Sequence, residues 1–234
     1  MTKTTEGERN KKLWELSPIW DVLTADEKMY LDSEVEVAHY KKNEIIQHEG
    51  DSPTHMMVLI SGKVRIYKEG VGQQKQIIRM LKPYDFFGYR AVVAGDGYNS
   101  CASAFEDCII YKISREVFLK IIQQNNRFCF QMMVKMARDL ALSEIRTINL
   151  TQKHIRGRLA ESLLSLRKQY GFDDDGVTIA MYMSREDLAN LSNMTTSNAI
   201  RTLSQFAADG MIALDGKKIR ILDEEGLIKT SQIG

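Results

Sequence analysis

Polar side chains with hydrogen-bonding groups form one face of a short stretch near the carboxyl end of the sequence. In the stretch SREDLANLSNMTTSNAIRTLSQF (184–206), hydroxyl, amide and guanidinium side chains recur at helical spacing, opposite a set of apolar residues. Such groups hydrogen-bond base edges in the major groove, so the chemistry indicated is recognition, with no bond broken. The predicted DNA-contacting residues, including one lysine of the following hairpin, are Arg185, Thr195, Thr196, Ser197, Asn198, Arg201, Ser204 and Lys217.

Two short helices must hold this face in place. Ser184 with Asp187 three residues later approximates a capping box, which predicts a first helix of about eight residues. The residues SNM then predict a turn, and Thr195 offers the N-cap hydroxyl of a second helix. Short side chains at the start of that helix would let it approach DNA closely. Helix, tight turn and helix is the helix-turn-helix arrangement.

A basic hairpin follows the second helix. The segment MIALDGKKIRIL (211–222) alternates around Asp215-Gly216, a strong hairpin signal, with Lys217 and Lys218 just past the tip. The segment VTIAMYM (177–183) reads as a strand before the first helix. This order predicts a winged helix. From Leu150 onward basic and acidic residues are equal in number, so affinity should depend on few phosphate contacts.

The composition of the whole chain fits a water-soluble protein. The 234 residues are 44% apolar and 27% charged with a formal net charge of +1, enough for two ordinary domains. The longest apolar runs are far shorter than the roughly 20 residues of a membrane span. The polar start, MTKTTEGERNKKLWEL, has no apolar stretch of a secretory signal. We therefore expect a cytoplasmic location and no membrane partner.

Residues 40–113 have the pattern of a small antiparallel barrel or jelly roll. Short apolar or alternating runs recur at regular spacing between glycine-rich turns, one of them at Gly70 to Gly72. Ser114 then offers an N-cap for a helix, and Asn125-Asn126 marks its end. The predicted strand runs are EIIQ, MMVLI, KVRIY, QIIRML, CASAF and CIIYKI.

A coiled-coil seam follows the barrel. Seven positions step by alternating fours and threes, which predicts that two identical helices pair, with a polar middle that leaves room for a polar ligand. An ordinary amphipathic helix packed on its own barrel remains the alternative. We predict an effector-sensing β-barrel at 1–125, a dimerisation helix at 126–151 and a winged-helix DNA-binding domain at 152–234. The seam positions are Cys129, Met133, Met136, Leu140, Ser143, Thr147 and Leu150.

These features together resemble the CRP/FNR family of bacterial transcription regulators over about residues 15–225. The matching segments are GDSPTHMMVLISGKVRIY, LKPYDFFGYRAV, NSCASAFEDCIIYKIS, GRLAESLLSL and the helix-turn-helix. The resemblance implies an α+β fold: an N-terminal cyclic-nucleotide-binding-type jelly roll, a long dimerisation helix and a C-terminal winged helix-turn-helix. It further implies a homodimer on a near-palindromic operator in double-stranded DNA, and RNA polymerase as a partner.

The resemblance also assigns roles in the DNA-binding motif. Arg201 matches the family's base-reading arginine, and Arg185 a phosphate-contacting one. Ser197 stands where members that bind the usual half-site have Glu, so we expect a different operator. The short acidic loop GFDDDG (171–176) replaces the longer loop through which the cyclic AMP receptor contacts polymerase, which puts that same contact in doubt.

The effector pocket implied by the resemblance departs further from the family pattern. Tyr89 replaces the Glu that holds the ribose, Asn99-Ser100 replaces the Arg-Ser pair that holds the phosphate, and Ser143-Glu144 replaces a Thr-Ser pair that meets adenine. Arg90 would face the other side of a strand from Tyr89. The absence of the cationic partner disfavours cyclic AMP. The candidate pocket residues are Gly88, Tyr89, Arg90, Ala91, Asn99, Ser100, Leu140, Ser143 and Glu144.

No cofactor is predicted with certainty. An iron-sulfur cluster of the FNR type is excluded because no cysteine precedes Cys101. Haem stays open, although the four histidines are scattered. The three cysteines are interpreted as buried reduced thiols, with redox sensing as the alternative. The controlling effector is thus an unidentified small molecule or a redox change.

Two other functions remain as alternatives. One is a constitutive DNA-binding regulator whose barrel holds no ligand. The other is a metal-binding, cupin-like enzyme, for which His48, Glu49 and His55 are the nearest ligand candidates. Gly50 to Pro53 between them reads as a loop rather than a strand. We therefore predict no enzyme activity, and no catalytic or metal-binding residue.

Overall fold

The computed structural model describes residues 12–15, 17–70 and 75–233. The expectations for the first residues of the chain, and part of the predicted turn at Gly70 to Gly72, lie outside these ranges. Antiparallel sheets, one long helix and a mainly helical carboxyl part follow one another, which confirms the α+β class. Across the described ranges, every helix is too short or too polar to cross a bilayer.

Two four-stranded sheets form the barrel. Their strand orders are β1-β8-β3-β6 and β2-β7-β4-β5. All six predicted runs form strands, which confirms the jelly roll. Two strands were missed: β1, which lies before the predicted region, and the two-residue β6. The strands are β1 (Glu36–Tyr40), β2 (Ile45–Gln47), β3 (His55–Ser61), β4 (Val64–Glu69), β5 (Lys75–Leu81), β6 (Phe86–Phe87), β7 (Cys101–Ala104) and β8 (Cys108–Ser114).

Local capping fixes the helices around the barrel. Thr24 forms a capping box at the start of α1 (Ala25–Glu34). Ser114 caps α3 (Arg115–Gln124) by accepting a hydrogen bond from the Val117 amide at 3.3 Å, as predicted. The predicted break also occurs: the side-chain oxygen of Asn125 accepts from the Phe128 amide at 2.9 Å, beside the start of α4 (Asn126–Gln152). Side-chain acceptors here satisfy amides that a helix start leaves unpaired.

The segment after Gly88 corrects one expectation. Tyr89 and Arg90 were expected on a strand, but they begin a short helix, α2 (Tyr89–Ala94). The reason is Gly88, whose φ of 79° turns the chain into a conformation that favours glycine. A Cβ at Gly88 would also lie 3.1 Å from the His55 carbonyl oxygen. The strand-based argument about Arg90 was therefore wrong.

The chain divides into two compact units, residues 1–65 with 81–141 and residues 66–80 with 142–234. We call them the barrel unit and the DNA unit. In the barrel unit, aromatic rings join the amino-terminal segment to the start of α4: the Trp20 ring stacks on Phe128 at 5.2 Å, and Phe118 meets Phe128 edge-on at 6.1 Å. These rings are almost fully buried, so they anchor α4 to the barrel core.

The long helix α4 packs on the core only in part. Met136, a predicted seam position, lies partly buried against the barrel core. Other seam positions are open: Met133 is 57% exposed and Leu140 is 62% exposed. The helix therefore combines the two interpretations of the sequence, with one side on its own barrel and an uncovered apolar side. The exposed large apolar residues of α4 are Phe130, Met133, Leu140, Leu142, Ile145 and Ile148.

After α4, the DNA unit consists of helices and a hairpin. The helix α5 ends at Gly171, where the predicted GFDDDG loop begins. The predicted strand VTIAMYM was wrong: only isolated bridges form, at Thr178 and Ile179. The amide of Met181 then donates to the Ile179 carbonyl at 2.7 Å, a tight turn that ends the extended pairing. The elements are α5 (Ile155–Tyr170), α6 (Arg185–Leu191), α7 (Thr196–Ala208), β9 (Ile212–Asp215), β10 (Lys218–Ile221) and α8 (Glu224–Ile233).

Candidate nucleic-acid interface

The turn between α6 and α7 forms as the capping residues predict. Ser184 Oγ accepts from the Asp187 amide at 3.0 Å and the Asp187 carboxylate accepts in return, which confirms the capping box. Asn193 turns the chain with a φ of 51°, a left-handed conformation that asparagine tolerates. Thr195 Oγ1 then accepts from the Asn198 amide at 3.3 Å and begins α7. Each helix start is therefore specified within four residues of sequence.

The inner face of α7 fixes its position in the DNA unit. Ala199, Leu203 and Phe206 are fully buried at helical spacing. The guanidinium of Arg156 lies 5.0 Å from the Phe206 ring centre and donates to Asp209 at 2.8 Å, so α5 holds the end of α7. Because one face is packed, the residues on the opposite face have a defined direction.

The outer face of α7 carries the predicted contact residues. Thr195, Thr196, Ser197, Arg201 and Ser204 are exposed, and Asn198 is partly buried. Arg201 donates to the side-chain oxygen of Asn198 at 2.9 Å, which orients both groups before any partner binds. The structure thus brings these six predicted residues onto one side of one helix.

The wing lies beside the start of α6. Asp215 pairs with Lys218, so the two-residue loop is Gly216-Lys217, one position later than the predicted tip. Lys217 is exposed at that loop. Arg185 donates to the Gly216 carbonyl oxygen at 2.9 Å, so the guanidinium expected on a phosphate here ties α6 to the wing. Lys218 instead lies 5.7 Å from the Tyr182 ring centre.

Part of the predicted effector pocket is closed by the chain itself. Tyr89 is only 6% exposed, and its hydroxyl donates to the Asp139 carboxylate of α4. Lys135, one turn earlier on α4, donates to the same carboxylate at 2.5 Å, and its ammonium lies 5.3 Å from the Tyr89 ring centre. We call Tyr89, Lys135 and Asp139 the α2–α4 tie. The Lys135 ammonium lies near the Tyr89 ring and both residues donate to the Asp139 carboxylate, so the three side chains form a compact polar cluster.

The remaining pocket candidates differ in burial and in hydrogen-bond partners. Arg90 is exposed and pairs with Asp96 at 3.2 Å, and Asn99 is exposed. Ala91 and Ser100 are buried, and the carbonyl oxygen of Ser100 accepts from Gln47 at 3.0 Å. Leu140 follows the tie directly on α4 and is exposed. Ser143 and Glu144 are exposed residues of the DNA unit.

The cysteines and histidines of the barrel have no arrangement typical of a sensor. Cys101 and Cys108 are buried and Cys129 is partly buried, and all three are free thiols. Burial raises the pKa of the Cys108 thiol to about 11, which keeps it neutral near pH 7. His48 and Glu49 are exposed. Among the residues with described positions, no three histidine, cysteine or carboxylate groups cluster closely enough to hold a metal ion.

Two family models match the chain, in the order of its two parts. The cyclic nucleotide-binding domain model matches residues 37–125, and the Crp-like helix-turn-helix domain model matches residues 157–230. The chain belongs to the CRP/FNR family of transcription regulators. It is accordingly a DNA-binding transcription regulator of the CRP/FNR type, which confirms the resemblance seen in the sequence.

Curated relatives of this regulator span nearly the same length. The CRP-like cAMP-activated global transcriptional regulator of Mycobacterium tuberculosis is 22% identical over 86% of this chain and 91% of its own. The Cyclic AMP receptor protein of Thermus thermophilus is 24% identical over 85% of this chain and 89% of its own. The structure of FixK2 from Bradyrhizobium japonicum superposes with a TM-score of 0.76 at 23% identity, over 84% of this chain and 96% of that one, which confirms the fold.

The sequence analysis did not single out three residues that stand out in the structure of this regulator. Lys135 and Asp139 are an i,i+4 pair of opposite charge, a signal that was available on the predicted seam helix. Their link to Tyr89 spans 50 residues and has no local signal. The third is Ile200, an exposed isoleucine on the outer side of α7.

Proposed function

We propose that the chain acts as a homodimer that binds a near-palindromic DNA site, with one α7 helix in each of two successive major grooves. Half-sites in this arrangement lie about one helical turn apart. The observation that carries the proposal is that the chain has two exposed surfaces of different chemistry. One is the polar side of α7, and the other is the apolar side of α4.

The apolar side of α4 supports pairing with a second copy. Met133 and Leu140 are seven residues apart, and both are more than half exposed. Ile145 and Ile148 are also exposed, but by helical spacing they lie on other sides of α4 than Leu140. Burying such side chains contributes about 1.5 to 3 kcal/mol each, and repetition every seven residues matches a helix of the same kind. A symmetric pair would also present two copies of α7, as a palindromic site requires.

We also propose that the barrel does not respond to cyclic AMP. The related regulators from M. tuberculosis and the T. thermophilus receptor are named for that ligand. In this chain the position of the family's ribose-binding Glu holds Tyr89, which is buried and bonded to Asp139. Arg90, the nearest cation in sequence, is paired with Asp96. A cyclic phosphodiester therefore lacks the ribose acceptor and the phosphate cation that the family supplies.

Control through the α2–α4 tie is the mechanism this arrangement favours. A small molecule or redox change that breaks the bond between Tyr89 and Asp139 would release α2 from α4, and a different affinity for the two states would shift their populations. The second candidate is a constitutive regulator, which the same contacts support because Tyr89, Lys135 and Asp139 bond to one another within the chain. In either case, we propose that RNA polymerase binds the regulator when the regulator is bound to DNA.

The first experiment is selection of random DNA by the purified chain without added ligand. Anisotropy titration on the selected sequence at fixed salt should follow, with sedimentation velocity to measure the mass in solution. We expect a dimer and a selected palindrome. A monomer at micromolar concentration, or binding without sequence preference, would contradict the proposal. Cyclic AMP should leave both results unchanged.

A paired substitution separates the dimer surface from general apolar exposure. Leu140→Glu should raise the dimer dissociation constant at least about 100-fold, because each of two copies loses the burial of a leucine. Leu222→Glu is the control, since Leu222 is 58% exposed and lies outside α4. Equal dissociation constants for the two variants would rule out α4 as the dimer surface.

A further inference from the structure

We call the exposed side of α7 its reading side. One residue on it has a side chain that cannot form hydrogen bonds to bases. Ile200 is 48% exposed, in the middle of a surface whose other members are mostly polar. By helical spacing it lies beside Ser197 three residues before it and Ser204 four residues after it. The buried side of α7 is formed by Ala199, Leu203 and Phe206, so Ile200 is directed away from the core. An apolar group therefore stands where base edges would be read.

The polar neighbours of Ile200 leave this apolar surface uncovered. Ser204 Oγ donates to the Ile200 carbonyl oxygen at 3.0 Å, so its proton points back along the helix. Arg201 donates to Asn198 at 2.9 Å, which draws the guanidinium toward the side of α7 away from Ile200. The two internal bonds thus separate a polar half of the reading side, near Arg201, from an apolar half, near Ile200.

We propose that Ile200 reads the 5-methyl group of thymine in the half-site. Thymine carries the one apolar group that a base pair presents in the major groove, and aliphatic side chains contact it. The inference rests on the proposed function, because it needs α7 in that groove. It adds to that function a specificity residue and the base it selects. Arg201 then selects by hydrogen bonds and Ile200 by methyl contact, one on each side of Ser197 and Ser204.

Replacing thymine by deoxyuridine in the selected DNA tests this directly. Deoxyuridine pairs identically and lacks only the methyl group, so no other contact changes. Each thymine would be replaced in turn, symmetrically in both half-sites, and the dissociation constant measured by anisotropy. At one position we expect about fourfold weaker binding per half-site, the value of one buried methyl group. Ile200→Ala should bind the thymine and deoxyuridine sites with equal affinity.

Two control variants keep the test specific. Ile200→Val retains a branched methyl surface and should still discriminate between the two bases. Leu222→Ala removes an exposed apolar side chain outside α7 and should discriminate as the parent does. Circular dichroism would verify that each variant is folded, which we expect because about half of the Ile200 surface is exposed.

Three outcomes are distinguishable. Specific binding that ignores every deoxyuridine replacement, or a selected half-site without thymine opposite α7, would overturn the role of Ile200 and leave the proposed function standing. Discrimination that persists in Ile200→Ala would assign the methyl contact to another residue and also overturn the inference. Binding without any sequence preference would overturn the proposed function itself.

Discussion

Two helices of this regulator, α7 and α2, both begin at tight turns, but one exposes its first turns and the other buries its first residue. The helix α7 begins after the turn at Asn193 and exposes Ser197 and Arg201. The helix α2 begins after Gly88 and buries its first residue, Tyr89, against α4. The family resemblance predicts a partner at both places, DNA at one and an effector at the other. The difference indicates that the first surface is free for a partner while the second already has one within the chain.

Internal bonds serve different purposes at the two helices. The bond between Arg201 and Asn198 joins two residues on the same open surface and leaves most guanidinium donors available. The bond between Tyr89 and Asp139 joins two elements and uses the single proton of the hydroxyl. Substitutions should therefore affect partner binding at α7 and the stability of the barrel unit at α2.

The largest effect is expected from Arg201→Ala. Loss of a base contact costs about 1 to 3 kcal/mol per half-site, so a symmetric site should lose about 2 to 6 kcal/mol of preference over unrelated DNA. Anisotropy titration on the selected and scrambled sequences measures this. Arg127→Ala, at an exposed arginine of α4, is the control. If Arg201→Ala kept the parent's preference, α7 would not be the reading helix.

The reactivity of the Cys108 thiol tests whether it is buried and neutral in the folded barrel. With the pKa of Cys108 raised to about 11 by burial, roughly one thiol in a thousand is ionised at pH 8, against about one in ten for an ordinary thiol of pKa 9.0. Alkylation of Cys108 in the folded chain should then be about 100-fold slower than in urea, as followed by mass spectrometry. Fast labelling of Cys108 at pH 8 would revive the redox-sensor interpretation.

The raised pKa of the Cys108 thiol also predicts how the stability of the folded chain changes at alkaline pH. A thiol whose pKa is raised in the folded state favours folding fully below its unfolded value of 9.0, and that contribution is lost as the pH rises through about 11. The melting temperature of the parent should fall over this window. Cys108→Ala should show a smaller decline between pH 9 and 11 than the parent, and a parallel decline would contradict this assignment.

A moderate effect is expected from Tyr89→Phe. The variant loses a hydrogen bond to a carboxylate, which should lower the free energy of unfolding by about 1 to 2 kcal/mol. Urea denaturation measures this, with Tyr30→Phe as the control, because Tyr30 packs its ring under Lys120 outside the tie. The double variant with Asp139→Asn should lose less than the sum of the single losses. Strictly additive losses would show that the two groups do not interact.

The smallest effect is expected at the wing. Lys217→Ala should weaken binding to all sequences nearly equally, and it should reduce the slope of log affinity against log salt by about 1 for each phosphate that the lysine neutralises. Lys229→Ala, at an exposed lysine of α8, should leave the slope unchanged. A change of sequence preference in Lys217→Ala would place the wing loop on bases instead of the backbone.

The local features of the DNA unit could be predicted from the sequence. The capping residues Ser184 and Thr195 and the hairpin around Gly216 each act within about four residues, so their patterns are readable without tertiary contacts. The loop of the hairpin lies one residue later than predicted, because Asp215 pairs with Lys218 between the two strands. The strand predicted at VTIAMYM failed for a non-local reason: Thr178 pairs with Arg220 and Ile179 pairs with Phe172, so the segment changes partner after one residue.

In the two sheets of the barrel the pattern of strands was predictable, and the surroundings of the candidate effector residues were not. Six strands follow apolar runs, whereas β1 has exposed residues and depends on pairing with β8, more than 60 residues away in sequence. Family resemblance placed Tyr89 at the pocket but on a strand, and the turn at Gly88 made it helical. Conversely, the exposed side of α7 that carries Arg201 formed as predicted, because the helix around it is specified locally, and the base-reading role of Arg201 stays a prediction.

The sequence by itself determined the order of elements, the helix starts and the polar side of α7, because these depend on periodicity and capping over a few residues. The tertiary structure decided which surfaces remain available. It buried Tyr89 against a carboxylate 50 residues away and left Ile200 and Leu140 uncovered. Long-range packing determines whether an apolar or polar side chain meets the chain itself or a partner, and local sequence patterns do not encode that choice.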